Sequence, residues 1–365
     1  MINQRLFDWY SIDTGKDMSI NTRCPRPFDT LLIDKNGSCY LCECTSWLPQ
    51  SVGNLQLQKI EDMLCGESAK MLRRSIVDGS YRYCNEKQCS WLLYTKTGEV
   101  WNKETPATEI KNIRLAVDDS CNLSCPSCRN KQIFVTSGTH FNARIKIVDK
   151  IIIFLKSLDH TVLVHIGSDG DPFASLIYRY FMRECVDIKN LDFSFQTNGL
   201  LLKQMYNRTK KIWDRTKKIG VSIDGATRET YERLRLGGSY DKILENLAFL
   251  KEKKKEHSFK LYLHFVVQKD NYHEMIKIIE LAEKYDVDSV CLNKIEDWNT
   301  YKNFQEINIT DENHPEHSKY LEEFEKVKNK RKELKRQNKS MLIETPTLQK
   351  KIYSWTNEEI DNHSR

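Results

Sequence analysis

Three cysteines on one short segment are the residues of this 365-residue chain best suited to chemistry. Cys121, Cys125 and Cys128 form a Cys-x3-Cys-x2-Cys triplet directly after a strand-like run from Ile113 to Asp118. Iron-sulfur clusters are held by cysteine thiolates, usually four to a 4Fe-4S cubane. Three thiolates on one loop therefore predict a 4Fe-4S cluster with one iron left open for another ligand.

A second group of cysteines lies in the first hundred residues. Cys24 and Cys42 stand on either side of Gly37 in a Cys-x12-Gly-x4-Cys spacing, and Cys84 and Cys89 form a later pair. Four thiolates from two separated pairs can enclose one iron-sulfur cluster completely. The same four also suit a tetrahedral structural zinc site, so both metals are open at this point.

Three further cysteines lie close to this second group in the sequence. Cys39 and Cys44 flank Cys42 and are alternative ligands, although the spacing from the glycine favours Cys42. Cys65 stands alone in a helix-like segment, where packing is its expected role.

Composition narrows the class of protein. Twelve cysteines in spaced clusters favour metal binding over a disulfide framework, and the absence of a secretory signal or bilayer-spanning apolar run predicts a cytoplasmic protein without a membrane. The net charge of +6 comes from 57 basic and 51 acidic residues, which indicates a mixed surface. The basic runs at 251–255 and 326–339 are expected to be solvated helix faces, and nucleic acid is not an expected partner.

The elements that position the triplet alternate between strand and helix from residue 113 to about 296, which is typical of parallel β/α units. Six strands predict an α/β fold with a partial (β/α)6 TIM-like barrel over 106–309. A small cysteine-rich α+β domain is expected over 1–105, and a charged helical extension over 310–365. The expected strands are 113–118, 161–166, 191–196, 220–223, 260–267 and 289–293.

Active sites of β/α barrels lie at the carboxyl ends of the strands, and those ends carry small polar groups here. An acid in a glycine-bearing turn can accept hydrogen bonds from an ammonium group, and an arginine fork suits a carboxylate. Ordinary roles are also open: a Gly-Asp-Pro turn, surface charges at Arg233 and Arg235, and a helix cap at Asn271. The strand-end candidates are Gly170, Asp171, Pro172, Thr197, Asn198, Ser222, Asp224, Arg235, Val267 and Asn271.

The cysteine triplet, followed by Arg129, resembles that of the radical S-adenosylmethionine (radical SAM) enzymes, in which SAM occupies the open iron through its amino and carboxylate groups. Gly170, Asp171 and Pro172 resemble the GGEP-type motif that holds the SAM amino group. The resemblance implies SAM contacts from the other strand-end candidates. Among these, Arg235 would bind the carboxylate, and Val267 and Asn271 would frame the adenine.

The N-terminal cysteines resemble the SPASM/twitch domain of the same enzymes, which implies an auxiliary 4Fe-4S cluster on Cys24, Cys42, Cys84 and Cys89. Zinc stays the alternative for this site. The domain here precedes the barrel, whereas in the family it usually follows it.

The function that the resemblance implies is reductive cleavage of SAM to a 5'-deoxyadenosyl radical that abstracts hydrogen from a substrate. The expected substrate is a peptide, a protein side chain or a sugar derivative, which is oxidised or rearranged as an oxidoreductase would do. The auxiliary cluster would accept an electron or bind the substrate, and flavodoxin or ferredoxin would supply the reducing electron. The alternatives are a radical SAM methyltransferase or sulfur inserter, and a non-catalytic iron-sulfur or zinc protein for interaction or electron transfer.

Overall fold

The computed structural model describes residues 24–86, 88–89, 92, 110–337 and 339–344. Its strands are β1 Thr30–Asp34, β2 Ser38–Tyr40, β3 Gly53–Asn54, β4 Asn112–Ala116, β5 Val162–Ile166, β6 Leu191–Thr197, β7 Thr216–Ser222, β8 Lys260–Val267, β9 Ser289–Lys294 and β10 Leu342–Glu344. Its α-helices are α1 Arg26–Asp29, α2 Ile60–Cys65, α3 Glu67–Val77, α4 Gly138–Ser157, α5 Leu176–Glu184, α6 Leu202–Thr209, α7 Arg228–Leu234, α8 Tyr240–Lys253, α9 Met275–Lys284 and α10 His317–Arg336. Two 3-10 helices, Lys210–Arg215 and Tyr272–Glu274, precede β7 and α9.

All of these strands belong to one sheet, in the order β10-β9-β8-β7-β6-β5-β4-β1-β2-β3. The strands β4 to β9 pair in parallel and in chain order, as successive β/α units require. The predicted α/β fold with six parallel strands is therefore confirmed. The main difference is that β7 begins at Thr216, four residues before the start that the sequence predicts.

Both flanking segments extend this sheet. Strand β1 pairs in parallel with β4, and β2 and β3 follow it in antiparallel pairs. At the other edge β10 pairs in parallel with β9, after helix α10 has packed on α9. The cysteine-rich segment and the C-terminal extension thus share a hydrogen-bonded sheet with the central strands.

The alternation along each strand separates two faces. On β8, Leu261, Leu263, Phe265 and Val267 are fully buried, whereas the residues between them are only partly buried. The fully buried positions belong to one apolar core with the inner faces of the helices. The other face is the concave side of the partial barrel, and it carries many polar side chains. Across the described ranges, no helix is long and apolar enough to cross a bilayer.

Candidate metal centres

The triplet loop lies against the ends of the parallel strands, as the β/α pattern predicts. The Cys121 amide donates to the Ile133 carbonyl at 2.8 Å, and the Cys128 amide donates to the Cys125 carbonyl at 2.9 Å. Cys125 is buried, Cys121 is partly buried and Cys128 is exposed. The exposure of the three thiols therefore increases from Cys125 in the interior to Cys128 at the surface.

Each thiol of the triplet has a nitrogen donor from a different part of the chain. The Asn198 amide lies 3.6 Å from the Cys121 sulfur, and Arg235 Nη1 lies 3.8 Å from the Cys125 sulfur. Arg129 Nε and Nη2 lie 3.5 Å from the Cys128 sulfur. Donors of this kind favour the charged thiolate, which is the form that binds iron.

Burial opposes the same ionisation. It raises the pKa of Cys121 to about 11, and the charge of Asp171 adds to the effect. It also raises the pKa of Cys125, although the Arg235 guanidinium acts in the opposite direction. When a thiol binds iron it loses its proton, and the positive charge of the metal offsets the cost of burying a charged sulfur. Thiolates are soft ligands, so this set of donors fits an iron-sulfur cluster.

Arg235 is held in place by a buried ion pair. Its Nε lies 2.8 Å from Asp224 Oδ2, and only 12% of its side chain and 1% of that of Asp224 are exposed. Arg233, two residues earlier, instead donates to the Asp270 carbonyl at 3.1 Å from an exposed position. The surface interpretation thus holds for Arg233 and is wrong for Arg235.

The carboxylate of Asp171 is already saturated by the protein. One oxygen accepts from the amides of Phe173 and Ala174, each at 3.0 Å. The other accepts from the Thr197 hydroxyl at 2.6 Å and the Asn198 amide at 2.9 Å. Asp171 therefore connects the turn after β5 to the end of β6, and its contact with the SAM amino group stays a prediction.

Gly170 brings that backbone close to the triplet loop. A Cβ at this position would lie 2.7 Å from the carbonyl oxygens of Asp118 and Ser120, so only glycine fits. The neighbouring Pro172 packs over Gly167, whose φ of +104° lies in the region that favours glycine. Gly170, Asp171 and Pro172 thus form a tight turn against the cysteine segment.

The other strand-end candidates fall into two groups. Ser222 faces the concave side, where its hydroxyl accepts from Gln196 Nε2 at 2.7 Å. Val267 faces the opposite way and is fully buried in the core, so Val266 is the residue of that strand end on the concave side. An adenine contact from the Val267 side chain therefore has no geometric support.

Asn271 is committed to the backbone around it. Its amide nitrogen donates to the carbonyls of Asp224 at 3.0 Å and Val266 at 2.9 Å, and its oxygen accepts from the Gln268 amide at 2.8 Å. It does not cap the following helix, since no side-chain cap bond is made there. Asn271 ties the ends of β7 and β8 together, which the sequence did not indicate.

The four N-terminal cysteines come together in space. Charge on Cys24, Cys42 or Cys89 would raise the pKa of Cys84, which shows that all four thiols are neighbours. Burial, the larger cause, raises the pKa of Cys24 to about 12 and that of Cys42 to about 11. Within the described ranges, no group of three or more His, Cys, Asp or Glu side chains could hold a single metal ion.

The thiols of the two alternative ligands make contacts of their own. The Cys39 thiol donates to the Gly37 carbonyl at 3.7 Å, and Asp34 is the charged group that affects its pKa. The Cys44 sulfur lies 2.8 Å from the Ser46 hydroxyl. The expected packing role of Cys65 is wrong, because this residue at the end of α2 is exposed.

A polar bridge connects the two cysteine regions. Lys35, in the turn between β1 and β2, pairs with Asp119 at 2.6 Å, two residues before the triplet begins. Asp119 also pairs with Arg144 of α4 at 2.7 Å. No pattern in the sequence indicates this bridge, since its three residues are more than 20 positions apart.

Comparison with known proteins agrees with this arrangement. Residues 117–282 match the radical SAM superfamily, and residues 24–90 match the SPASM iron-sulfur cluster-binding domain. Similar curated proteins include the GTP 3',8-cyclase of Clostridium perfringens, which is 23% identical over 51% of this chain and 56% of that protein. The GTP 3',8-cyclase of Limosilactobacillus fermentum is 24% identical over 51% of this chain and 56% of that protein. The chain spans little more than half the length of these relatives.

Two solved structures are also similar to this chain. Streptococcus suis SuiB bound to S-adenosylmethionine aligns with a TM-score of 0.45 and 14% identity, covering 64% of this chain and 50% of that one. The anSMEcpe enzyme with bound AdoMet and a Cp18Cys peptide aligns with a TM-score of 0.43 and 15% identity, covering 64% and 62%.

The matched domains define an iron-sulfur protein that uses S-adenosylmethionine. The chain belongs to the radical SAM superfamily and carries an N-terminal SPASM-type domain. Its cofactors are a 4Fe-4S cluster, SAM and an auxiliary iron-sulfur cluster.

Proposed function

We propose that this radical SAM enzyme abstracts hydrogen from a substrate carbon and completes an oxidation or rearrangement with the help of its auxiliary cluster. The SAM-binding cluster would be held by Cys121, Cys125 and Cys128. The auxiliary 4Fe-4S cluster would be held by Cys24, Cys42, Cys84 and Cys89. The observation that carries the proposal is the contrast between a triplet that leaves a ligand position open and a set of four neighbouring thiols that can close its cluster.

The bound cluster and SAM supply the radical chemistry, and the protein supplies position. Asn198, Arg129 and Arg235 each donate to one of the three sulfurs, and the ion pair with Asp224 fixes the Arg235 guanidinium. The turn at Gly170 brings carbonyl groups close to the same loop, where an ammonium group can be bound.

Electron acceptance is the role that the N-terminal thiols favour. Four thiolates leave no iron for a substrate, whereas three would. The auxiliary cluster would then accept the electron that is released when a substrate radical becomes a double bond or a crosslink. An external one-electron reductant of the flavodoxin or ferredoxin type, in a reducing cytoplasm, would reduce the SAM-binding cluster.

Two classes of substrate deserve separate tests. A peptide or protein side chain has a parallel in SuiB, which was solved with the precursor peptide SuiA. A sugar derivative has a parallel in the GTP 3',8-cyclases, whose substrate GTP contains a ribose. A methyl or sulfur group gained by the product would instead indicate the methyltransferase or sulfur-inserter alternative.

The test is SAM cleavage by the anaerobically reconstituted full chain with a chemical reductant. We expect 5'-deoxyadenosine and roughly eight irons per chain, four for each cubane. Cys125→Ala should stop deoxyadenosine formation, whereas Cys65→Ala, which changes an exposed cysteine of the same chain, should not. Iron near four with stoichiometric zinc would contradict the auxiliary cluster, and clusters without SAM cleavage would indicate the non-catalytic alternative.

A further inference from the structure

The concave face of the sheet carries a row of polar side chains that the SAM and cluster sites do not use. Arg114 of β4 lies opposite His165 of β5, His165 lies opposite Ser194 of β6, and Ser194 lies opposite Lys218 of β7. On β4, β5 and β6 the adjacent residues are buried in the core, so alternation turns these side chains to the concave side. Four neighbouring strands thus contribute one residue each to a single row.

A β-bulge puts Lys218 into this row. Phe193 pairs with Thr216, but the next residue of β6, Ser194, pairs with Lys218, so β7 has one extra residue at Lys217. Lys217 is exposed and pairs with Asp192 at 3.4 Å, whereas Lys218 is partly buried with its Nζ 3.6 Å from the centre of the Tyr262 ring. Bulges often redirect a side chain next to a functional site.

The positive charges of the row are not neutralised by nearby acids. In the part of the chain that the structure describes, Arg114 and Lys218 have no carboxylate partner, and Arg114 Nε is buried without a hydrogen-bond partner. Nε2 of His264, which lies on the same face of the sheet in β8, is likewise buried and unpartnered there. Buried donors without partners cost free energy, and a bound acceptor would recover it.

Two histidines on this face are buried near positive charges. Burial, followed by the charges of Arg114 and Lys218, lowers the pKa of His165 to about 3. Burial, followed by the charges of Lys218, Arg235 and Arg114, lowers the pKa of His264 to about 3. Cations from β4 and β7 thus act on a histidine of β8, on the same face of the sheet. Both imidazoles are neutral at pH 7, so each can still donate one N–H.

Acids on the same face lie elsewhere or are already engaged. Asp192 is paired with Lys217, and Glu344 of β10 accepts from the Ser289 hydroxyl at 2.7 Å. Asp34 of β1 accepts from the amides of Asn36 and Ser38 in its own turn, each at 2.8 Å. The region between β4 and β8 is therefore a cationic, donor-rich surface.

We propose that Arg114, His165, Ser194 and Lys218 bind a phosphate group of a small-molecule substrate. Adjacent strands are about 4.8 Å apart, so Arg114 and Lys218 start about 14 Å from each other and reach inwards from the two ends of the row. A phosphate ester has three terminal oxygens for donors from both ends and from the centre, whereas a carboxylate has two. Arginine and lysine are also the usual protein ligands of phosphate.

The position of the row relates this site to the radical chemistry, and this step rests on the proposed function. Ser194 is four residues before Asn198, the residue that contacts Cys121, which corresponds to about 13 Å along the strand. A phosphate held on the row would leave the rest of the molecule extending towards the triplet loop. The substrate would then be a phosphorylated sugar or nucleotide whose reacting carbon is on the order of 10 Å from its phosphate.

The test is a titration of the reconstituted full chain with inorganic phosphate at constant ionic strength. Binding is measured from the line width of the 31P NMR signal of phosphate. We expect saturable binding that is weakened at least about tenfold by Lys218→Met and by Arg114→Gln, since each removes a charged hydrogen-bond donor. Lys217→Met is the matched control because it changes the adjacent, exposed lysine. Lys218→Arg should retain binding to within about threefold, which shows that charge and not fold is affected.

Three outcomes would overturn the phosphate site. These are no saturable binding to the wild type, equal weakening by Lys217→Met and Lys218→Met, and acetate binding more tightly than phosphate. Circular dichroism and iron content of each variant separate misfolding from loss of the anion site. SAM cleavage without substrate is measured in parallel: its absence in the wild type would contradict the proposed function while a row-dependent phosphate site still stood.

Discussion

The two cysteine regions use the same ligand atom in different surroundings. At the triplet, each sulfur faces a nitrogen donor, and one edge of the loop is exposed at Cys128. At the N-terminal set, four thiols lie near one another, with Cys24 packed among Phe28, Ile76 and Tyr81. Under the proposed function, the number of thiolates and the access around them would separate an iron that binds SAM from a cluster that only exchanges electrons.

The largest effect should come from removing one ligand of the open site. Cys125→Ala should abolish deoxyadenosine formation, because the two remaining cysteines cannot hold the cluster that binds SAM. Iron should fall from roughly eight to about four per chain, since the N-terminal set is untouched. Anaerobic chromatography of deoxyadenosine and iron analysis measure both quantities. Continued SAM cleavage would show that the two regions do not divide the work in this way.

Removal of one ligand from the N-terminal set should stop product formation but not SAM cleavage. Cys84→Ala should leave SAM cleavage within about tenfold of the wild type, while product formation stops because no acceptor takes the second electron. Iron should again fall to about four. Cys44→Ala is the matched control, as it changes a neighbouring cysteine outside the set. If Cys44→Ala removed the cluster and Cys84→Ala did not, the ligand assignment would be wrong.

The ion pair behind the triplet gives a third, smaller effect. Arg235→Gln leaves the Asp224 carboxylate buried without its partner, which should lower the free energy of unfolding by about 3 to 5 kcal/mol. Arg233→Gln, on the exposed side of the same segment, should change it by less than about 0.5 kcal/mol. Urea unfolding of both variants measures the difference. Equal values would mean that Arg235 supports the triplet loop no more than a surface charge does.

The sequence predicted the order of the elements better than the direction of individual side chains. The six parallel strands, the triplet at the end of the first and the four N-terminal cysteines follow from patterns of period two and from spacing. The loop contacts of Asn271 and the direction of Val267 do not, because each depends on a register that only the folded sheet sets. The assigned roles of the site residues stay predictions.

The concave row shows most clearly why part of the site could not be predicted. The pairing of Lys218 with the row depends on a bulge between Lys217 and Lys218, and two adjacent lysines give no sign of which one turns inwards. The alternation of His165 with Val164 and Ile166 was visible in the sequence and could have indicated a polar face. Its significance depends on cations from other strands, which become neighbours only when the sheet curves.

The smallest predicted effect is a change in the pH dependence of stability, and it tests the surroundings of His165 on the concave face. In the folded protein, burial and the charges of Arg114, Lys218 and Arg26 lower the pKa of His165 to about 3, against about 6.5 in the unfolded chain. Between these values the unfolded chain binds the proton and the folded one does not, so this contribution to stability is present above pH 6.5 and is lost as the pH falls towards 3.

His165→Gln keeps a neutral polar side chain in the row and removes this titration. Between pH 7 and pH 5 the wild type should therefore lose about 2 kcal/mol more stability than His165→Gln, as measured by urea unfolding at each pH. His140→Gln, an exposed change near the start of α4, controls for the general effect of losing a histidine. The same pH dependence in wild type and His165→Gln would mean that burial and the neighbouring cations do not lower the pKa of His165 in the folded protein, and the concave face would then lack the buried, positively charged surroundings that set it apart from the N-terminal cysteine set.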